Sequence, residues 1–169
     1  MPTIRHSEPR DIEAIRRIYA EPSVYASTLQ LPWPSMELWQ QRLGSRNENF
    51  HSLVACEDDE VRGQVGIEML SNPRRRHVAN IGLGVSGQAR RRGIGSALVD
   101  AAIELCTGWL GVTRIELEVY TDNDAAIALF ERKGFVVEGT ARGYALRAGE
   151  YVDVRLMARC AKRAIPRPA

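Results

Sequence analysis

The segment Gly82–Ser96, GLGVSGQARRRGIGS, constrains this chain more than any other. It leaves a strand-like run, His77–Val85, and enters the clearest helical pattern in the sequence. Ile94, Ala97, Leu98, Ala101, Ala102 and Leu105 recur at i, i+3, i+4, i+7, i+8 and i+11. Arg114–Tyr120 then alternates strictly, with Ile115, Leu117 and Val119 on one face and Glu116, Glu118 and Tyr120 on the other. A strand, a loop, a patterned helix and another strand in this order imply an α/β domain. Gly108 and Gly111 are expected to end the helix. Gly82 and Gly84 lie inside the strand, which predicts a bulge or a close backbone approach.

The flanking sequence extends the same domain. Thr3–His6 reads as a strand, Ser7 as an N-cap, and residues 8–20 as a helix with Ile12, Ile15, Ile18 and Tyr19 inward. Pro22 ends that helix, and residues 21–34 read as a short helix and a loop. Ser35 caps a further helix, with Leu38, Trp39, Arg42 and Leu43 on one side. His51–Glu57 and Val61–Leu70 form a hairpin about Asp58-Asp59-Glu60. Asp124–Lys133 is a helix stopped by Gly134, Phe135-Val136-Val137 begins a strand, and Tyr151–Ala158 is the last. One domain over 1–160 follows from 169 residues, with 161–169 expected to be a disordered tail.

Charge and composition exclude several classes. Lys+Arg is 23 against Asp+Glu 21, a net +2 too small to argue for nucleic acid. No apolar run is long enough to span a membrane. Cys56, Cys106 and Cys160 lack metal-ligand or redox spacing, so no metal is expected, and a cytoplasmic location fits.

Arg90, Gly93 and Gly95 give R-x-x-G-x-G at the start of the helix. Such a loop can wrap a diphosphate: glycines let the backbone approach, unpaired N–H groups point outward, and the helix dipole adds positive charge. The arginines Arg90, Arg91 and Arg92 strengthen it. Gly82–Gly87 also matches G-x-G-x-x-G, but it lies within the strand end rather than opening the helix, against a dinucleotide fold. A plain solvated basic loop is the remaining alternative.

Together these residues resemble the GNAT-superfamily N-acetyltransferases along nearly the whole chain. Arg90-Arg-Arg-Gly93-Ile-Gly95 is similar to the family's first motif. Asn123, Ala126-Ile127-Ala128-Leu129-Phe130 and Gly134-Phe135 are similar to its second. The likeness is greatest to bacterial L-amino acid N-acetyltransferases, in which the segments Tyr25 to Leu31, Pro73 to Ala79 and Tyr144 to Arg159 recur. The resemblance implies a central, mixed, mostly antiparallel sheet of six to seven strands, flanked by about four helices, with the fourth and fifth strands splayed. It implies acetyl-CoA as co-substrate. The pantetheine would lie along Leu83, Gly84 and Val85, the pyrophosphate on Arg90–Ser96, Ile94 included, with Asn123 bonding the pantetheine and Phe130 beside it.

The implied reaction is direct attack of an amine on the thioester, which needs a base. Glu118 holds the position where relatives carry a catalytic Glu, although Glu116 and Glu118 equally fit the solvent face of an alternating strand. Asn80 can orient a water or the substrate but cannot accept a proton. Where many relatives have a tyrosine that protonates the leaving thiolate, this chain has Phe130, so Tyr120 and Tyr144 are the candidate acids. Tyr25, Leu29, Trp33, Asn80 and Glu116 are candidate acceptor contacts. Arg74–Arg76 reads either as a carboxylate site or as a solvated loop. The expected acceptor is a small-molecule amine, a free L-amino acid first. Polyamines, aminoglycosides, a protein N-terminus and a non-catalytic CoA sensor are alternatives. A homodimer is expected from the family.

Overall fold

The computed structural model describes residues 1–45 and 47–161; the expectation for the tail lies outside them, Ala161 excepted. Seven strands form one sheet: β1 (Thr3–His6), β2 (Phe50–Glu57), β3 (Glu60–Met69), β4 (Val78–Val85), β5 (Arg114–Tyr120), β6 (Val136–Arg147) and β7 (Glu150–Cys160). Their order is β1-β2-β3-β4-β5-β7-β6. Every neighbouring pair is antiparallel except β4 and β5, which run parallel.

Five helices flank the sheet: α1 (Ile12–Ala20), α2 (Pro22–Tyr25), α3 (Met36–Gly44), α4 (Ile94–Glu104) and α5 (Asp124–Arg132). The single turn α2, with Pro22 in its first turn, is the short helix expected within residues 21–34. Side-chain alternation splits the core in two. Leu53, Ala55, Val65 and Ile67 face α4, packing on Ile94, Leu98, Val99 and Ala102. Val54 and Cys56 face the other way, toward Ile12, Ile15, Ile18 and Tyr19 of α1 and Trp39 of α3. Each such aliphatic side chain contributes roughly 1.5–3 kcal/mol by leaving water.

Several expectations are corrected. Ser7 does not cap the first helix; the chain enters through a turn in which Glu8 and Asp11 form a capping box. The Asp11 carboxylate accepts from the Glu8 N–H at 2.7 Å and from both Arg5 nitrogens at 2.6 and 2.9 Å. Gly108 does not end α4: the helix widens into a π turn over Leu105–Trp109, and the stop comes at Gly111, φ +68°. Leu38 is exposed although it shares a side with buried Trp39 in sequence, whereas Arg42 does lie over the Trp39 ring. No bulge occurs at Gly82 or Gly84, where β3–β4 pairing runs unbroken from Met69↔Ala79 to Gly63↔Val85. The opening lies on the other edge of β4. There only Val78↔Arg114, Ala79↔Ile115 and Asn80↔Glu116 pair with β5, and beyond Asn80 the strands part.

Candidate active site

The parting of β4 and β5 leads into a cleft of about 730 Å³ between β4, α4 and α5. Among the residues singled out in the sequence, Leu83, Gly84, Val85, Arg90, Arg91, Gly93, Ile94, Gly95, Ser96 and Asn123 line it. Gly93 sits at φ +82°, a left-handed conformation that L side chains resist. It turns the chain so that α4 begins with its unpaired N–H groups at the cleft. At Gly95 an added Cβ would stand 3.3 Å from Leu129 Cδ2, so glycine there lets α4 approach α5. The Asn123 Oδ1 caps α5 by accepting from the Ala126 N–H at 3.2 Å, which leaves the amide NH₂ as the group with donors to offer.

Arg92 and Phe130 lie outside the cleft. Arg92 pairs with Glu57 at 2.8 Å. Phe130 is buried, edge-on to Phe135 with ring centroids 5.6 Å apart. The cleft also has walls that the sequence reading missed: Val24 and Ser27 beside α2, and Ala125, Ala128 and Arg132 along α5. The alanines were the available signal, since small residues on one helix side leave room for a ligand. Glu21 was missed altogether. Its carboxylate accepts from Ser86 Oγ at 2.8 Å and from the Gly87 N–H at 2.7 Å, which fixes the turn between β4 and the arginine loop. Arg90 donates to the Ser23 carbonyl at 2.8 Å and ties the loop to α2.

Across the sheet from α4, the side chains beside the parting strands converge. The Asn80 Nδ2 lies 3.3 Å from both Glu118 oxygens. The Tyr144 phenol is close enough to Glu118 that the carboxylate charge, after burial, helps hold its pKa above the ordinary value. Tyr120 is committed elsewhere: it is buried and donates to the Thr28 carbonyl at 3.0 Å, and the Arg147 guanidinium stacks 4.8 Å above its ring. Glu116 is occupied by Arg75 and Arg114, each at 2.7 Å. Of the candidate acceptor contacts, Tyr25 is half-buried in α2, whereas Leu29 and Trp33 stand exposed on the following loop.

A mixed sheet whose parallel strands part beside a glycine- and arginine-rich helix start defines an acyl-carrier-binding transferase architecture. The family model described as the acetyltransferase (GNAT) family matches residues 12–135. The chain therefore belongs to the GNAT family of N-acetyltransferases, enzymes that move an acetyl group from acetyl-CoA to an amine. It is 51% identical over 156 residues to the L-amino acid N-acetyltransferase AaaT of Escherichia coli K12, covering 92% of this chain and 96% of that one. A GNAT acetyltransferase from Streptococcus pneumoniae superimposes with TM-score 0.83 at 26% identity, over 96% of this chain and 100% of its own. A phosphinothricin acetyltransferase from Sinorhizobium meliloti, crystallised with AcCoA, shares the fold with TM-score 0.86 at 24% identity, over 99% and 93% of the two chains.

Proposed function

We propose that the acceptor is the α-amine of a free L-amino acid and that Glu118 is the base. The carrying observation is the position of Glu118 on β5. It is held by Asn80 where β4 and β5 part, on the sheet face opposite α4. The 51% identity to an L-amino acid N-acetyltransferase supports the acceptor class.

The cleft suits acetyl-CoA. The start of α4, turned inward by Gly93, offers N–H groups to the pyrophosphate, and Arg90 and Arg91 add charge. From Ile81 to Val85 β4 has no β5 partner, so the amide groups on that edge are free to bond the pantetheine while the others pair with β3. Acetyl-CoA supplies a thioester: once the ammonium has lost one proton, the neutral amine nitrogen bonds to its carbonyl carbon, the C–S bond breaks, nitrogen loses a second proton to solvent and sulfur gains one. Glu118 takes the proton from the ammonium, directly or through a water, while the Asn80 amide holds the carboxylate in place. Tyr144 returns a proton to sulfur; as a phenol it carries that proton at neutral pH, and burial and the Glu118 charge hold its pKa above the ordinary value. Tyr120 and Glu116 position rather than react, since their polar atoms are engaged within the fold.

The same reading includes a cytoplasmic enzyme, supported by three free cysteines, acting as a homodimer. The exposed Val136, Leu146 and Tyr151 on the β6–β7 edge support the second copy, and sedimentation equilibrium tests it. Thiol release from acetyl-CoA against twenty L-amino acids, polyamines, aminoglycosides and short peptides tests the acceptor. Turnover confined to polyamines, aminoglycosides or peptides overturns the amino-acid reading.

A further inference from the structure

A second cavity, of about 440 Å³, opens between α3 and the β3–β4 part of the sheet. It shares Asn80 with the Glu118 group, so it reaches the place where the amine must react. On its floor Gly66 and Gly82 face each other in register; the Phe50 ring covers Gly66, whereas Gly82 is open. Gly82 has no positive φ, and a Cβ there would meet nothing within 4 Å. Neither backbone conformation nor packing demands glycine at 82; what glycine preserves there is space.

The charged side chains on the walls are Arg42 and Glu68. Among the described residues neither has an opposite charge within 4 Å. The Arg42 guanidinium is nevertheless held in place. It lies 4.9 Å over the Trp39 ring and donates through Nη1 to Gln30 Oε1 at 2.7 Å, with its other N–H groups left to give. Trp39 is in turn stacked on Tyr19, centroids 4.8 Å apart, and its buried indole N–H has no hydrogen-bond partner. A free ammonium–carboxylate zwitterion matches a cavity whose charged walls among the described residues are one cation, Arg42, and one anion, Glu68. A polyamine has no use for Arg42, and a peptide N-terminus carries no carboxylate beside its amine.

We propose that this cavity seats the acceptor, that Arg42 binds the carboxylate of the amino acid, and that Gly82 keeps the room its body occupies. This rests on the amino-acid reading above and assigns that substrate's recognition to α3, away from Arg74–Arg76, where Arg75 is already paired with Glu116.

The test compares each accepted amino acid with its carboxamide, in the wild type, Arg42→Gln and Arg42→Lys, by kcat/KM. The wild type is expected to prefer the acid. Arg42→Gln should raise KM for the acid about 10- to 100-fold and collapse that preference. Arg42→Lys should restore part of it, and acetyl-CoA affinity measured by calorimetry should stay at the wild-type value in both variants. Gly82→Leu should raise the amino-acid KM as well. If the wild type acetylates amino acids and Arg42→Gln keeps the acid-to-amide ratio, the Arg42 assignment is overturned while the acceptor class stands. If the wild type acetylates no free amino acid, both fall together.

Discussion

The Asn80 amide nitrogen sits 3.3 Å from each carboxylate oxygen of Glu118, across the last residues at which β4 and β5 still pair. The amide is a donor without charge, so it fixes the carboxylate without competing for a proton. Glu118→Gln is expected to lower kcat about 10²- to 10⁴-fold and to leave acetyl-CoA binding intact. The residual rate should climb with pH as the free amine becomes more abundant. A variant that keeps full kcat would return Glu118 to the role of a solvent-facing strand residue.

The two tyrosines should separate by experiment. Tyr144 is 45% exposed beside Glu118, whereas Tyr120 is 5% exposed with its proton given to Thr28. Tyr144→Phe is expected to reduce kcat with little change in melting temperature. Tyr120→Phe is expected to lower stability by about 1 kcal/mol through the lost hydrogen bond and to retain most of kcat. Because the Tyr144 pKa lies above its ordinary value, its proton stays in place through neutral pH, and the rate should not fall until more alkaline pH. Equal kcat losses in both variants would remove the distinction.

Local and distant signals differed in how far the chain order revealed them. Ser35 capping α3 through the Leu38 N–H and Gly134 ending α5 depend on neighbours within a turn, and both were legible; the cap that Asn123 gives α5 is equally local but went unread. So were the succession of strands and helices along the chain and the Arg90–Ser96 wall of the cleft, because R-x-x-G-x-G specifies its own backbone. Glu21 clamping Ser86, 65 residues away, and Tyr120 bonding Thr28, 92 residues away, were not. No spacing rule links such positions. Arg92 was expected at the pyrophosphate and Glu116 at the acceptor, and only folding brings Glu57 and Arg75 to them.

The glycines of β4 serve unlike purposes, which mutation can display. A Cβ at Gly84 would lie 2.7 Å from the Tyr19 ring, a buried side chain that cannot retreat. Gly84→Ala is expected to destabilise by about 1–3 kcal/mol, read as a lower melting temperature. Gly82→Ala should melt within about 0.5 kcal/mol of the wild type. The reverse ranking would mean that α1 yields to the sheet.

Acid stability should depend on Asp11. Its hydrogen bonds from Arg5, and then from the Glu8 N–H, hold the carboxyl below the ordinary range despite the opposing effect of burial. A depressed folded pKa contributes stability in full above the unfolded value near 3.9 and loses it as pH falls through the folded one. Asp11→Asn is expected to destabilise by about 1–3 kcal/mol at pH 7, with the gap to wild type narrowing below about pH 4. A gap that does not change with pH in denaturant titrations would count against the ion pair.

The sheet consists of two antiparallel leaves, β1 to β4 and β5 to β7, stitched through the pairs at Val78, Ala79 and Asn80. A seam that short makes the sheet's cohesion and the occupancy of its cleft a single variable. A ligand bonded to both bare edges adds rungs to the ladder, so the melting temperature should rise with its concentration by mass action. Amides of β4 beyond Asn80 that face the parted edge should likewise exchange with solvent faster in the empty enzyme than those of β3, which is laced on both sides.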